Sequence, residues 1–247
     1  MSLDSVFKPM ITKIWQEDAD TQLEFLRIIC ESRQMPVFDM KKYDMFFVPN
    51  NDYLKFYGGQ GILDWALGCY DDDDDCIWNN CLIFPIKNVV GEIVGLGGFN
   101  PFRYAQAHET QSWDIYYYQY SSKSVFTKGN YLYYAGDSFD KALDDGYLIV
   151  VDGLFDAISL NEAGFNAAAM MGSSVTDAIV LQLRFIPNVI VARDNDAAGA
   201  KLANTLVAKL KNCVVFNQLE NKDIDGALKS ENRRIVKEKL EKLIKDV

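Results

Sequence analysis

The sequence predicts an α/β protein: a parallel sheet flanked by helices, preceded by a smaller α+β region. Three observations carry this. From residue 146 onward, runs of four or five strand-forming residues alternate with helical stretches of ten or more, the pattern of βαβ units. Before that point, helices, short strands and aromatic-rich loops such as Tyr116-Tyr117-Tyr118 are mixed without such an order. The chain has 247 residues, 49% hydrophobic and 24% charged, enough for a substantial core and too short for many domains. The predicted divisions are 1–145, 146–228 and 229–247, the last an amphipathic helix packed on the second division.

Each element of the second division has a local reason. Tyr147 to Val151 (YLIVV) is a β-branched run, and Asp152-Gly153 breaks it. Leu154 to Ala163 reads as a helix, with Gly164 placed where a left-handed residue ends one. Asn166 to Met170 is the second strand and Val175 to Arg184 the second helix, with Pro187 as punctuation. Val189 to Ala192 is the third strand, Ala197 to Lys211 a long helix, and Cys213 to Phe216 the fourth strand. In the tail, Ile235, Val236, Leu240, Leu243 and Ile244 recur on one helical face, with lysines elsewhere. The bland reading of that face is packing on its own domain; the sharp one is docking to a partner protein.

Ligands of open parallel sheets sit beyond the carboxyl ends of the strands. The residues there are acidic. Strand one runs into Asp152-Gly153, strand three into Asp194-Asn195-Asp196, and strand four is followed by Lys222-Asp223-Ile224-Asp225. Carboxylates gathered on one edge need a cation, and hard divalent ions prefer oxygen ligands together with phosphate and water. That combination serves phosphoryl and nucleotidyl transfer. A lone Asp-x-Asp has a plainer use, because Asp196 ahead of Ala197-Ala198 is a good N-cap. Acids after three strands of one array tip the reading toward metal.

Composition excludes other classes. Thirty-five acidic against 25 basic residues leave a net charge of −10, which argues against coating nucleic acid by bulk electrostatics. Five scattered cysteines, no C-x-x-C and one histidine, His108, cannot build a zinc ribbon or finger. Irregular cysteine usage fits reduced thiols and a cytoplasmic location. No apolar run of membrane-spanning length and no secretory signal are visible. The run Asp71 to Asp75 reads as a solvated loop, and Gly95-Leu96-Gly97-Gly98 ends a strand rather than opening a helix, so it is no dinucleotide fingerprint. His108 reads as a surface or structural residue, and Tyr116 to Tyr118 as strand packing or a surface on which single-stranded bases stack.

Three segments carry a family resemblance: DGLFDAISLNEAGFNAAAMMGSSVT (152–176), VARDNDAAGAKLA (191–203) and NKDIDGAL (221–228). In order and spacing they resemble the Toprim domain of bacterial DnaG-type DNA primases. Upstream, LIFPIKNVVGEIVGLGGFNPF (82–102) resembles a hairpin of those primases' N-terminal subdomain, and SVFTKGNYLYYAGDSFDKAL (124–143) their Lys-Gly segment leading into Toprim. The resemblance covers roughly residues 20 to 230. It implies a Toprim-type sheet and an RNA-polymerase core that makes short primers on single-stranded DNA from NTPs.

It also implies roles. Asp152 falls where the family has its catalytic Glu, Asp194 and Asp196 on its metal-binding aspartates, and Asp223 and Asp225 on the later acidic pair, so the resemblance makes all five candidate metal ligands. Gly153 and Gly199 stand where the backbone makes close approaches. Asp156 matches the Asp three residues after the first glycine, Lys128 a lysine facing triphosphate or template, and Arg103 and Lys222 are further candidates for nucleotide or template contact. The implied cofactor is Mg²⁺ or Mn²⁺, without zinc.

The departures are specific. Asp152 is one methylene shorter than Glu, setting its carboxylate back by about 1.5 Å. Uncharged Trp78-Asn79-Asn80-Cys81 replaces a basic stretch, and Phe99 stands where an arginine is expected, with Arg103 nearby. Such a pattern fits a divergent member, such as a phage-encoded one, working in the cytoplasm with a helicase or a zinc-bearing partner in trans. Two other readings remain: a catalytically weak Toprim protein that binds single-stranded DNA or a replisome partner, and a Toprim nuclease, against which the 82–143 segments weigh.

Overall fold

A computed structural model describes residues 3–58, 77–112, 114–121, 126–172, 174–217, 223–230 and 233–247. The acidic run Asp71 to Asp75 and Lys222 lie outside the described residues. The chain divides into two compact units, Met1–Thr127 and Lys128–Val247.

The first unit begins with α1 (Leu3–Glu17) and α2 (Ala19–Ser32), followed by β1 (Phe46–Val48) and α3 (Asn51–Gly58). The hairpin β2 (Cys81–Lys87) and β3 (Ile93–Phe99), then α4 (Pro101–Thr110) and β4 (Tyr118–Tyr120), complete it. Its sheet is antiparallel in the order β1-β2-β3-β4. Pro85, which has no N–H to donate, lies beyond the end of β1, whose register stops at Phe46 opposite Ile83. Phe7, Met10, Ile11 and Ile14 of α1 bury one face against Phe46, Ile83, Leu96 and Trp78.

The Gly97-Gly98 pair is explained by rings. A Cβ on Gly97 would stand 2.1 Å from Cε2 of Phe84, and one on Gly98 would stand 2.6 Å from Cε3 of Trp78. The bare backbone is what lets both aromatics lie flat on the sheet. Gly97→Ala should therefore cost about 1–3 kcal/mol by overpacking. Chemical denaturation of the single variant checks this, and an unchanged midpoint would show that Phe84 moves aside freely.

The second unit contains β5 (Leu132–Tyr134), α5 (Ser138–Asp145), β6 (Tyr147–Val151), α6 (Leu154–Glu162), β7 (Ala167–Met170) and α7 (Asp177–Leu183). It continues with β8 (Asn188–Ala192), α8 (Ala197–Lys209), β9 (Cys213–Phe216), α9 (Ile224–Lys229) and α10 (Arg233–Asp246). The strand order is β5-β7-β6-β8-β9, with β7, β6, β8 and β9 mutually parallel and β5 antiparallel to β7. The central strands β6 and β8 are buried from Leu148 to Val151 and from Val189 to Ala192, as a sheet covered on both faces requires. This is the predicted α/β architecture.

Two features differ from the sequence reading. The division between units falls at 127/128 rather than 145/146. The reason is β5, whose Leu132, Tyr133 and Tyr134 pair with Met170, Ala169 and Ala168, and α5, which packs on β6 and β7. The tail helix α10 buries Val236 and Leu240 and packs on α9, with the Lys237 ammonium 6.0 Å from the Phe165 ring. Ile235, however, is exposed, so the apolar face is narrower than its sequence pattern. Among the described residues no helix is long and apolar enough to cross a membrane.

Candidate active site at the strand ends

Because β6, β8 and β9 are parallel, the residues that follow them emerge on one edge of the sheet. Asp152 directly follows β6, Asp194 and Asp196 follow β8, and Asp223 immediately precedes α9, which comes after β9. The expected carboxylates of 146–228 therefore share an edge.

Helix starts fix two of them. Asp196 is the N-cap of α8: its Oδ1 accepts the Gly199 N–H at 2.8 Å. Gly199 is required there, since a Cβ would stand 2.5 Å from the Asp194 carbonyl oxygen and 2.8 Å from its nitrogen. The helix thus begins in direct contact with the loop that carries Asp194. Asp223 repeats the device on α9, its Oδ1 accepting the Gly226 N–H at 2.7 Å. Gly153 precedes α6, where a Cβ would meet Asp156 Oδ2 at 2.5 Å.

The electrostatics join these groups. Burial, and then the charge of Asp196, push the Asp152 carboxyl up to about 6. Its Oδ1 is buried without a hydrogen-bond partner. Burial first, and then the charges of Asp223, Asp225 and Asp194, hold Asp156 well above the usual carboxylate range. An unpartnered carboxylate oxygen beside a second carboxylate is costly unless a cation lies between them. The donor chemistry of Asp152, Asp194 and Asp196 thus fits a hard divalent ion. Among the described residues, however, no three His, Cys, Asp or Glu side chains stand together as a group that could hold a metal ion, so the fit is one of donor type.

Asp156 and Asp225 are turned to the protein itself. The Asp225 N–H donates to Asp156 Oδ1 at 3.0 Å. The Asp225 carboxylate accepts from Ser159 Oγ at 2.5 Å and from Lys229 Nζ at 2.5 Å. Ser159 and Lys229 were not singled out in the sequence. The signal available was Lys229 four residues after Asp225, the spacing of a helical ion pair.

Lys128 is exposed in a 3-10 turn (Lys128–Asn130) beside the end of β7; a Cβ on Gly172 would stand 3.9 Å from its Cε. Thr176 Oγ1 donates to the Gly129 carbonyl at 2.7 Å and fixes that turn. Arg103 belongs to the first unit, exposed in the first turn of α4, where its backbone N–H is capped by Asn100. Phe99, in the place of an expected arginine, is fully buried among Tyr104, Tyr117 and Tyr118. Trp78 and Cys81 are fully buried too, so the ends of the uncharged Trp78 to Cys81 segment serve the core while Asn80 is exposed. Tyr117 and Tyr118 pack against Phe99, while Tyr116 is 80% exposed. His108 lies exposed against the Tyr104 ring, 4.2 Å between centroids.

Residues 149–228 match the Toprim-like family. The DNA primase of Rickettsia bellii (strain RML369-C) is 30% identical over 176 residues, which are 66% of this chain and 27% of that protein. The chain thus spans about a quarter of the length of the curated relatives it matches. The Escherichia coli primase catalytic core superposes with a TM-score of 0.72 at 22% identity, covering 98% of this chain and 80% of that one. A DnaG primase catalytic domain bound to single-stranded DNA gives a TM-score of 0.72 at 22% identity, covering 97% and 78%. The likeness to the two structures is one of fold, and it extends over both units.

Proposed function

This chain is a homologue of bacterial DnaG-type DNA primases with a Toprim-like domain over residues 149–228, and on that premise we propose that it is a primase catalytic core. It would synthesise short RNA primers on single-stranded DNA from NTPs, using Mg²⁺ or Mn²⁺. The observation that carries the reading is the buried, unpartnered Oδ1 of Asp152 on the edge shared with Asp194 and Asp196.

In this reading Asp152, Asp194 and Asp196 hold the divalent ions, and α8, capped by Asp196, fixes the loop that presents Asp194. The bound ions supply charge neutralisation of the triphosphate and a more acidic primer 3′-hydroxyl. The 3′-hydroxyl gives up its proton to solvent, and its oxygen forms the bond to the α-phosphorus in line as the bond to the bridging oxygen breaks and its electron pair leaves with pyrophosphate. Lys128 meets the triphosphate or the template backbone as a point charge. The role of Asp152 would be to hold an ion in place, because positioning is most of what such a site contributes.

A second reading, a catalytically weak protein that holds single-stranded DNA or a replication partner, is favoured by Phe99 and Trp78. Both are core residues where cations would grip phosphate. Incubation with labelled NTPs and a single-stranded template separates the readings: primase gives oligoribonucleotides, the weak binder gives none, and a nuclease degrades the template. With few template cations and a net charge of −10, the isolated chain should bind single-stranded oligonucleotides only at about 10⁻⁴–10⁻⁶ M. A zinc-bearing protein or helicase in trans would then supply start-site selection. Nanomolar, sequence-selective binding by the lone chain, read by fluorescence anisotropy at fixed salt, would contradict this.

A further inference from the structure

Resting on the divalent-ion reading above, we propose that Asp225 is not among the carboxylates that hold metal. With Lys229, Ser159 and Asp156 it forms a latch that positions the start of α9 at the acidic edge. The sequence presents Asp223 and Asp225 as a pair, but the fold treats them differently. Asp225 is only 5% exposed, and its two oxygens have separate partners: Oδ1 accepts from Ser159 on α6, and Oδ2 from Lys229 one turn along α9. The Lys229 side chain is itself only 21% exposed. A divalent ion at Asp225 would have to displace an ammonium and a hydroxyl, and would leave a largely buried cation beside a dication.

The backbone closes the latch from the other side. The Asp225 N–H donates to Asp156 Oδ1 at 3.0 Å, tying the first turn of α9 to the first turn of α6. Asp223, immediately before α9, is then placed by its cap to Gly226. Ser159, Asp225 and Lys229 are positioning residues: they set where the start of α9 lies and touch no substrate.

The test is Mn²⁺ binding to the intact chain, followed by electron paramagnetic resonance of the free ion. Asp225→Asn/Lys229→Met removes the charge pair as a unit and keeps an acceptor for Ser159. Its Mn²⁺ affinity should stay within about threefold of the parent, whereas Asp194→Asn should lose about tenfold or more. A folded double variant as weak as Asp194→Asn would overturn the proposal. Melting temperatures provide the second readout. Lys229→Met strands a buried carboxylate and should melt below the double variant; the reverse order would also overturn the latch. Unaltered Mn²⁺ binding in Asp194→Asn would fail the metal reading of the previous section, while the melting order still judges the latch by itself.

Discussion

Primer synthesis should vanish in the double variant Asp194→Asn/Asp196→Asn while the protein remains folded. Both changes preserve shape and remove the charge that would bind a divalent ion. Asparagine is as good an N-cap as aspartate, so the Asp196 bond to the Gly199 N–H has a replacement acceptor and α8 should start where it does now. Relief of repulsion among Asp152, Asp194 and Asp196 offsets any loss at the cap. The expected fall is about a thousandfold or more, ~4 kcal/mol of transition-state stabilisation. Circular dichroism and a rate measurement on the same sample check it. A folded double variant with unchanged primer yield would remove these residues from the site.

The second large effect is expected at Asp152. Asp152→Ala deletes the buried unpartnered oxygen and a carboxylate that feels the charge of Asp196, and activity should fall by about a hundredfold or more. Asp152→Glu restores the family's residue and moves the carboxylate forward by about 1.5 Å. If the short side chain handicaps an otherwise competent site, the Glu variant should equal or exceed the parent. A hundredfold loss in Asp152→Glu would instead show an edge rebuilt around aspartate, in which the family's geometry does not transfer. Rates at saturating NTP distinguish the outcomes, because a positioning defect lowers kcat rather than only raising KM.

Much of this was readable without coordinates because the second unit is locally consistent. YLIVV and NVIVA are β-branched runs that only a covered sheet uses, and Gly164 takes φ +97 where the helix pattern stops. Parallel topology then brought Asp152, Asp194 and Asp196 to one edge with no further information. Leu132 to Tyr134 escaped as a strand of the second unit because three residues carry no period, and its partner β7 lies more than 30 positions away. The division of the units at 127/128 follows from that pairing. The roles of Asp156 and Asp225 escaped for a different reason. A carboxylate that meets a cation and one that meets Ser159 and Lys229 look alike in a sequence; only burial and hydrogen bonds separate them. Gly97 and Gly98 were read as the end of a strand, and the rings of Phe84 and Trp78 that explain them are neighbours across the sheet or beyond the hairpin.

The most direct measurement is a time course of labelled oligoribonucleotides made on a single-stranded template, with Mg²⁺ or Mn²⁺ and with the metal chelated. A metal-dependent ladder of short RNA from the parent chain, absent on chelation and absent in Asp194→Asn/Asp196→Asn, is the result expected of a primase core. A template that is cleaved, or a chain that binds the divalent ion yet never joins two nucleotides even with a zinc-bearing partner present, would contradict it.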